Sequence, residues 1–172
     1  PWQFAQLLDY LEHQARGEGA VERGREVVVK AQCSKCHRHG ELGDTLGPDL
    51  TAVNRRFTRR EILESILFPS HVISSQYAAK VLITVDGRSL SGLVADGTDG
   101  EKIVLRPDGT KVRLAGEDIE EMRTSKLSSM PEGLLDTLSL EEIADLFAYL
   151  GVSPTRNLAQ RPAKDDVNDA DI

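Results

Sequence analysis

Aromatic side chains are scarce in this sequence. Phe, Tyr and Trp make up 5% of its 172 residues, although the apolar fraction as a whole is an ordinary 40%. A core built from so few rings has little large planar apolar mass of its own. Cysteine and methionine are also rare, with two residues each. No apolar run approaches the roughly 20 residues that cross a bilayer as a helix. Basic residues are in the minority, 21 Lys and Arg against 28 Asp and Glu, for a formal charge of −7. A nucleic-acid footprint needs clustered Lys and Arg. Here only Arg55-Arg56 and Arg59-Arg60 are doubled, and they read as a solvated loop and helix face. A negative surface favours a basic protein partner, through steering rather than fold.

The length suits one domain, or one domain carrying a substantial insertion. Apolar spacing predicts a helix over 2–15, with Phe4, Leu7, Leu8 and Leu11 on one face, and a second over 20–32 in which Gly24 leaves a bare spot for a close neighbour. An irregular stretch follows, from Gly40 to Asn54. Thr58-Arg-Arg-Glu61 is a capping box opening a helix that stops near Pro69. The period then changes from 3.6 to 2. Tyr77–Val85 and Arg88–Ala95 flank Asp86-Gly87, a two-residue hairpin signal. Glu101–Arg106 and Thr110–Leu114 pair across Pro107-Asp108-Gly109, and Ile119–Arg123 adds a short strand, so 77–124 reads as an antiparallel β insertion. Helix returns near Pro131. Ser139-Leu-Glu-Glu142 caps a last helix with Ile143, Leu146, Phe147 and Leu150 inward. The expected organisation is an N-terminal helix over 1–18, a main domain over 19–151 interrupted by 77–124, and a flexible acidic tail over 152–172.

The chemistry concentrates in Cys33-Ser34-Lys35-Cys36-His37. A C-x-x-C-H run is the attachment signature of a c-type haem. The thiols add across the haem vinyl groups, and the adjacent imidazole becomes an axial iron ligand. A C-x-x-C pair also serves in thioredoxin-like redox couples, half zinc sites and disulfides. Zinc, however, takes four Cys or His ligands, and Cys33 and Cys36 have only His37 and His39 crowded beside them. A thioredoxin-like couple follows a strand, whereas helix precedes Cys33. The opposite face of the iron could be taken by Met130, in Ser128-Ser129-Met130-Pro131, with His71 as the rival. Of the other candidates, His13, His39 and Met122, His39 lies two residues from His37 and cannot reach across the ring, and a buried Met in a strand such as that of Met122 is most often core filler. Met/His is the cytochrome c pairing, and a thioether ligand raises the potential and blocks exogenous ligands.

Taken together, the chain resembles a class I cytochrome c. The resemblance rests on Gly24 ahead of Cys33-Ser-Lys-Cys36-His37, on Gly47-Pro48-Asp49-Leu50, on the Met130-Pro131 loop and on a last helix bearing Tyr149. More narrowly, it is similar to the haem-binding cytochrome domain found near the C-terminus of large secreted planctomycete and verrucomicrobial proteins. The match covers about residues 20–151. It implies a mainly α fold around one covalent haem c, with a small inserted antiparallel β subdomain. It implies thioether bonds at Cys33 and Cys36, His37 and Met130 as iron ligands, the Pro48 carbonyl accepting from the His37 ring, and Leu50 lining the pocket. Gly24 would let the first helix of the match cross the last near Tyr149. Val28 departs from the pattern, standing where an aromatic is common. The function implied is one-electron transfer without enzymatic activity, to redox partners such as a dehydrogenase, in a periplasmic or otherwise exported setting. The start at Pro1 then reads as that of a processed chain or fragment. A different class of function, a haem enzyme or a gas or redox sensor, would require an open or displaceable distal position.

Overall fold

The computed structural model of the protein describes residues 1–13 and 17–152. The expected tail therefore lies outside the described residues except for Val152, and the first expected helix is described as far as His13.

Among the described residues five α-helices form, most of them where apolar residues recur every three or four positions. α1 (Phe4–His13) buries Leu7 and Leu11, and α2 (Ala20–Lys30) buries Val27 and Val28. A single turn, α3 (Val53–Arg56), leads to α4 (Arg59–Leu67), which buries Ile62 and Leu63. α5 (Leu140–Tyr149) buries Ile143, Leu146 and Phe147. Both capping boxes are made. The Thr58 and Ser139 hydroxyls accept from the N–H of Glu61 and Glu142, whose carboxylates accept the cap N–H in return. Each box satisfies donors that a helix start would otherwise leave orphaned.

α2 crosses α5 at Gly24, where a Cβ would lie 2.7 Å from the Cβ of Tyr149 and closer still to the Asp145 carbonyl oxygen. Beside it Arg23 grips Asp145 with two bonds, Nε to Oδ2 at 2.6 Å and Nη2 to Oδ1 at 2.8 Å. Arg59 is 1% exposed. It donates from Nη2 to the Val152 carbonyl at 2.7 Å and from Nη1 to the Leu11 carbonyl, tying the ends of α5 and α1 to the start of α4. The doubled Arg59-Arg60 is thus no uniformly solvated face.

Among the described residues the strands form two antiparallel sheets. β1 (Arg38–His39) and β2 (Leu42–Gly43) make a minimal hairpin. β3 (Lys80–Thr84), β4 (Ser89–Asp96), β5 (Lys102–Leu105), β6 (Lys111–Leu114) and β7 (Ile119–Thr124) form a five-stranded sheet in the order β6-β5-β4-β3-β7. This sheet has its own buried cluster, Leu82, Val104 and Leu114, packed by Leu90, Val94, Val112 and Ile119 and distinct from the helical core.

The fold is therefore mixed α/β, and the expectation of a mainly α chain is corrected: of the described residues 36% are helical, 3-10 turns included, and 21% are strand. The strands were legible, but their weight was underrated. A five-stranded sheet with a separate core is a second architectural half, not trim on a helical frame. Smaller differences follow from local geometry. The helix before Cys33 stops at Lys30, because Gln32 takes a left-handed φ of 63°. Residues 131–139 are turns rather than helix, Tyr77 lies in a 3-10 turn before β3, and α3, β1 and β2 occupy or flank the stretch read as irregular.

Candidate haem-attachment site

The left-handed Gln32 turns the chain out of α2 into a short 3-10 turn, Cys33–Lys35. The Cys33 carbonyl then accepts from the N–H of Cys36 at 3.2 Å and of His37 at 2.9 Å, folding both thiols and the imidazole into one compact unit. Both cysteines are free and half-buried. Burial pushes the Cys33 thiol up to about 11. Burial also raises Cys36, and the Asp44 carboxylate adds to that rise. These are neutral S–H groups at neutral pH, unlike the low-pKa thiolate of a reactive C-x-x-C pair.

His37 Nδ1 lies 2.8 Å from the Pro48 carbonyl oxygen. A carbonyl can only accept, so Nδ1 carries the proton and Nε2 keeps its lone pair. Burial holds the ring below the usual histidine range, with the Pro48 bond acting weakly in the other direction, so the imidazole is neutral. A neutral ring with a fixed tautomer is the form in which histidine ligates metals. Pro48 is itself held in place. The Gly47 N–H donates to the Cys36 carbonyl and the Leu50 N–H to the Arg38 carbonyl, both at 2.8 Å. Asp49 accepts the Thr51 N–H on Oδ1 at 2.8 Å and the Arg38 Nε and Nη2 on Oδ2 at 3.0 and 2.8 Å. Leu50 packs half-buried against the helical core, as do Cys33 and Leu42.

Met130 sits half-buried in the irregular loop between β7 and α5. Its N–H donates to the Ser128 hydroxyl, and the Ser128 N–H donates to the Ser70 hydroxyl, both at 3.1 Å. The Met130 loop is thereby fastened to the loop after α4, which carries the exposed His71, 3.8 Å from Glu64. Cys33, Cys36, His37 and Pro48 are thus joined by direct bonds, while the bonds of the Met130 loop run elsewhere. Of the other candidates, His39 stacks on Tyr149 with ring centres 4.3 Å apart. His13 is exposed on α1 and donates from Nδ1 to the Asp9 carbonyl at 2.8 Å. Met122 is 47% exposed on β7 rather than core filler.

Four residues at the site escaped the sequence reading: Lys35, Asp44, Asp108 and Lys111. The turn at Pro107-Asp108-Gly109 is readable, but not where it lands, which is on Lys35 of the Cys33–His37 segment, with Lys111 of the following strand on Asp44.

Chemically, the segment offers two S–H groups one turn apart and one free imidazole nitrogen. Among the described residues no group of three or more His, Cys, Asp or Glu side chains gathers as a metal cluster, so the four donors of a zinc site are not assembled. Among the same residues no helix is long and apolar enough to cross a membrane. Compared with models of known protein families the chain matches none, and no curated protein matches it.

Proposed function

We propose that the protein is a monohaem c-type cytochrome that carries single electrons, as a free carrier or as the redox module of a larger exported protein or complex. The observation that carries this reading is the 2.8 Å bond from His37 Nδ1 to the Pro48 carbonyl, which leaves Nε2 with its lone pair in a segment that also holds two free thiols. Cys33 and Cys36 would hold the porphyrin covalently, His37 and Met130 would ligate its iron, and Leu50 would line the pocket. Bound there, haem supplies an Fe(II)/Fe(III) couple. The chain's part is to hold its ligands still in both oxidation states: Pro48 fixes the His37 ring, and Ser70 with Ser128 anchors the Met130 loop. Covalent attachment takes place outside the cytoplasm, so this reading implies a periplasmic or otherwise exported setting. Its −7 charge suits a basic redox partner, such as an associated dehydrogenase.

The test is a pyridine-haemochrome and redox spectrum of exported protein, expected to show one thioether-linked haem. Met130→Ala should abolish the Met–Fe(III) charge-transfer band and lower the potential, while His71→Ala leaves both in place. A band that survives Met130→Ala overturns the ligand assignment, and absence of thioether-linked haem overturns the whole reading. The separate anchoring of the Met130 loop gives the second reading, an enzyme or sensor with a displaceable ligand, its one foothold. Rapid CO binding by the unmodified protein would favour it.

A further inference from the structure

The β5–β6 hairpin reaches out of the sheet and lands on the Cys33–His37 segment. Lys35, between the two cysteines, donates from Nζ to the Asp108 carbonyl at the hairpin turn, 3.1 Å away, and to Gln32 Oε1 at 3.0 Å. Gly109, with a φ of 83°, lies flat on the Lys35 stem, where a Cβ would come within 2.6 Å of Lys35 Cδ. From the outgoing strand, Lys111 forms an ion pair with Asp44.

Asp44 is not a loose surface carboxylate. Its own N–H donates to the Ser34 carbonyl at 3.1 Å, and its Oδ1 accepts the Leu46 N–H at 3.0 Å. The next links along the chain are the Gly47 N–H on the Cys36 carbonyl and the Pro48 carbonyl on His37. One continuous set of bonds therefore runs from the sheet to the proximal ring: Lys111, Asp44, the 44–48 turn, Pro48, His37.

We propose that this hairpin is a clamp belonging to the attachment site, with Lys111 a positioning residue that presses the 44–48 loop onto Cys36 and His37. The sheet then determines how firmly Pro48 holds the ring, which gives the β insertion a role in the site. The functional meaning rests on the haem reading; the clamp does not, because every bond in it belongs to the chain.

Amide hydrogen exchange on the full-length protein tests it. In Lys111→Ala the Asp44 and Gly47 amides should exchange about five-fold faster, the scale of one partly exposed ion pair. The Val104 amide inside the sheet should be unchanged, and Lys111→Arg should restore protection. Lys35→Ala attacks the same contact from the motif side and should loosen the same two amides, so the test stands even if one variant fails to fold. Unchanged Asp44 and Gly47 exchange in both variants overturns the clamp, as does failure of Lys111→Arg to restore protection. A chain that carries no haem yet shows the expected exchange would sink the proposed function and leave the clamp standing.

Discussion

Gly24→Ala is the sharpest probe of the helix crossing that leads into the Cys33–His37 segment. In an open helix this change stabilises by about 1 kcal/mol, since Gly is that much poorer a helix former than Ala. Here the new Cβ meets Tyr149 Cβ at 2.7 Å and the Asp145 carbonyl more closely, against the 3.4 Å at which ordinary contact begins. The nearest obstacle is backbone, which no rotamer change relieves. α2 and α5 must part, breaking the fit of Val27 and Val28 in the helical core and straining the Arg23–Asp145 pair. Overpacking costs about 1–3 kcal/mol, and an immovable backbone puts this case at or beyond the upper end. Less the propensity gain, the net loss is about 2 kcal/mol, or a Tm lower by about 4–8 °C for a chain of this size. Thermal unfolding followed by far-UV circular dichroism measures it. Gly17→Ala, at a position with nothing within 4 Å, is the control and should leave Tm in place. A Gly24→Ala protein as stable as the parent, or more so, would refute the close crossing.

Other outcomes follow from the same geometry. Asp49 is held down to about 2 by its bonds to Thr51 and then Arg38, below the ordinary carboxylate value of 3.8. Its folded pKa is depressed, so its contribution to stability is present above the unfolded value and lost as pH falls through that window. Urea midpoints of parent and Asp49→Asn should therefore differ at pH 5 and converge towards pH 2, and a constant difference would show that the Asp49 charge plays no part. Ser139→Ala removes the cap of α5 and should cost about 1 kcal/mol in urea unfolding, whereas a neutral result would mean that Glu142 and Lys30 hold that end without it.

What could be read from the chain was what its chemistry decides locally. The Thr58 and Ser139 boxes and the hairpin at Pro107-Asp108-Gly109 depend on residues within a few positions of one another and form as expected. The Asp86-Gly87 hairpin, by contrast, forms with a three-residue loop, Val85-Asp86-Gly87, closed by Thr84 and Arg88, instead of a two-residue one. The apolar stripe of α5 is buried as its spacing required. Features set by distant partners stayed hidden. Arg59 read as a surface residue because its acceptors, Leu11 and Val152, lie 48 and 93 positions away. Lys35 meets Asp108 across 73 positions, and no spacing rule reports such a contact. The balance of fold class was misjudged for a related reason. Alternation predicts a strand, but only pairing order reveals that five strands close over a core of their own.

The two ends of the large sheet leave it side by side, since Lys80 pairs with Thr124 and the Ser125 N–H donates to the Ala79 carbonyl at 2.8 Å. Beyond that stem the chain runs directly into the Met130 loop, while at the far edge strand the hairpin tip bears on Lys35 and Asp44. The sheet is thus a strut with one foot beside the Met130 loop and the other on the loops that carry Lys35 and Asp44. Any displacement of the sheet as a unit would therefore act on both footings at once.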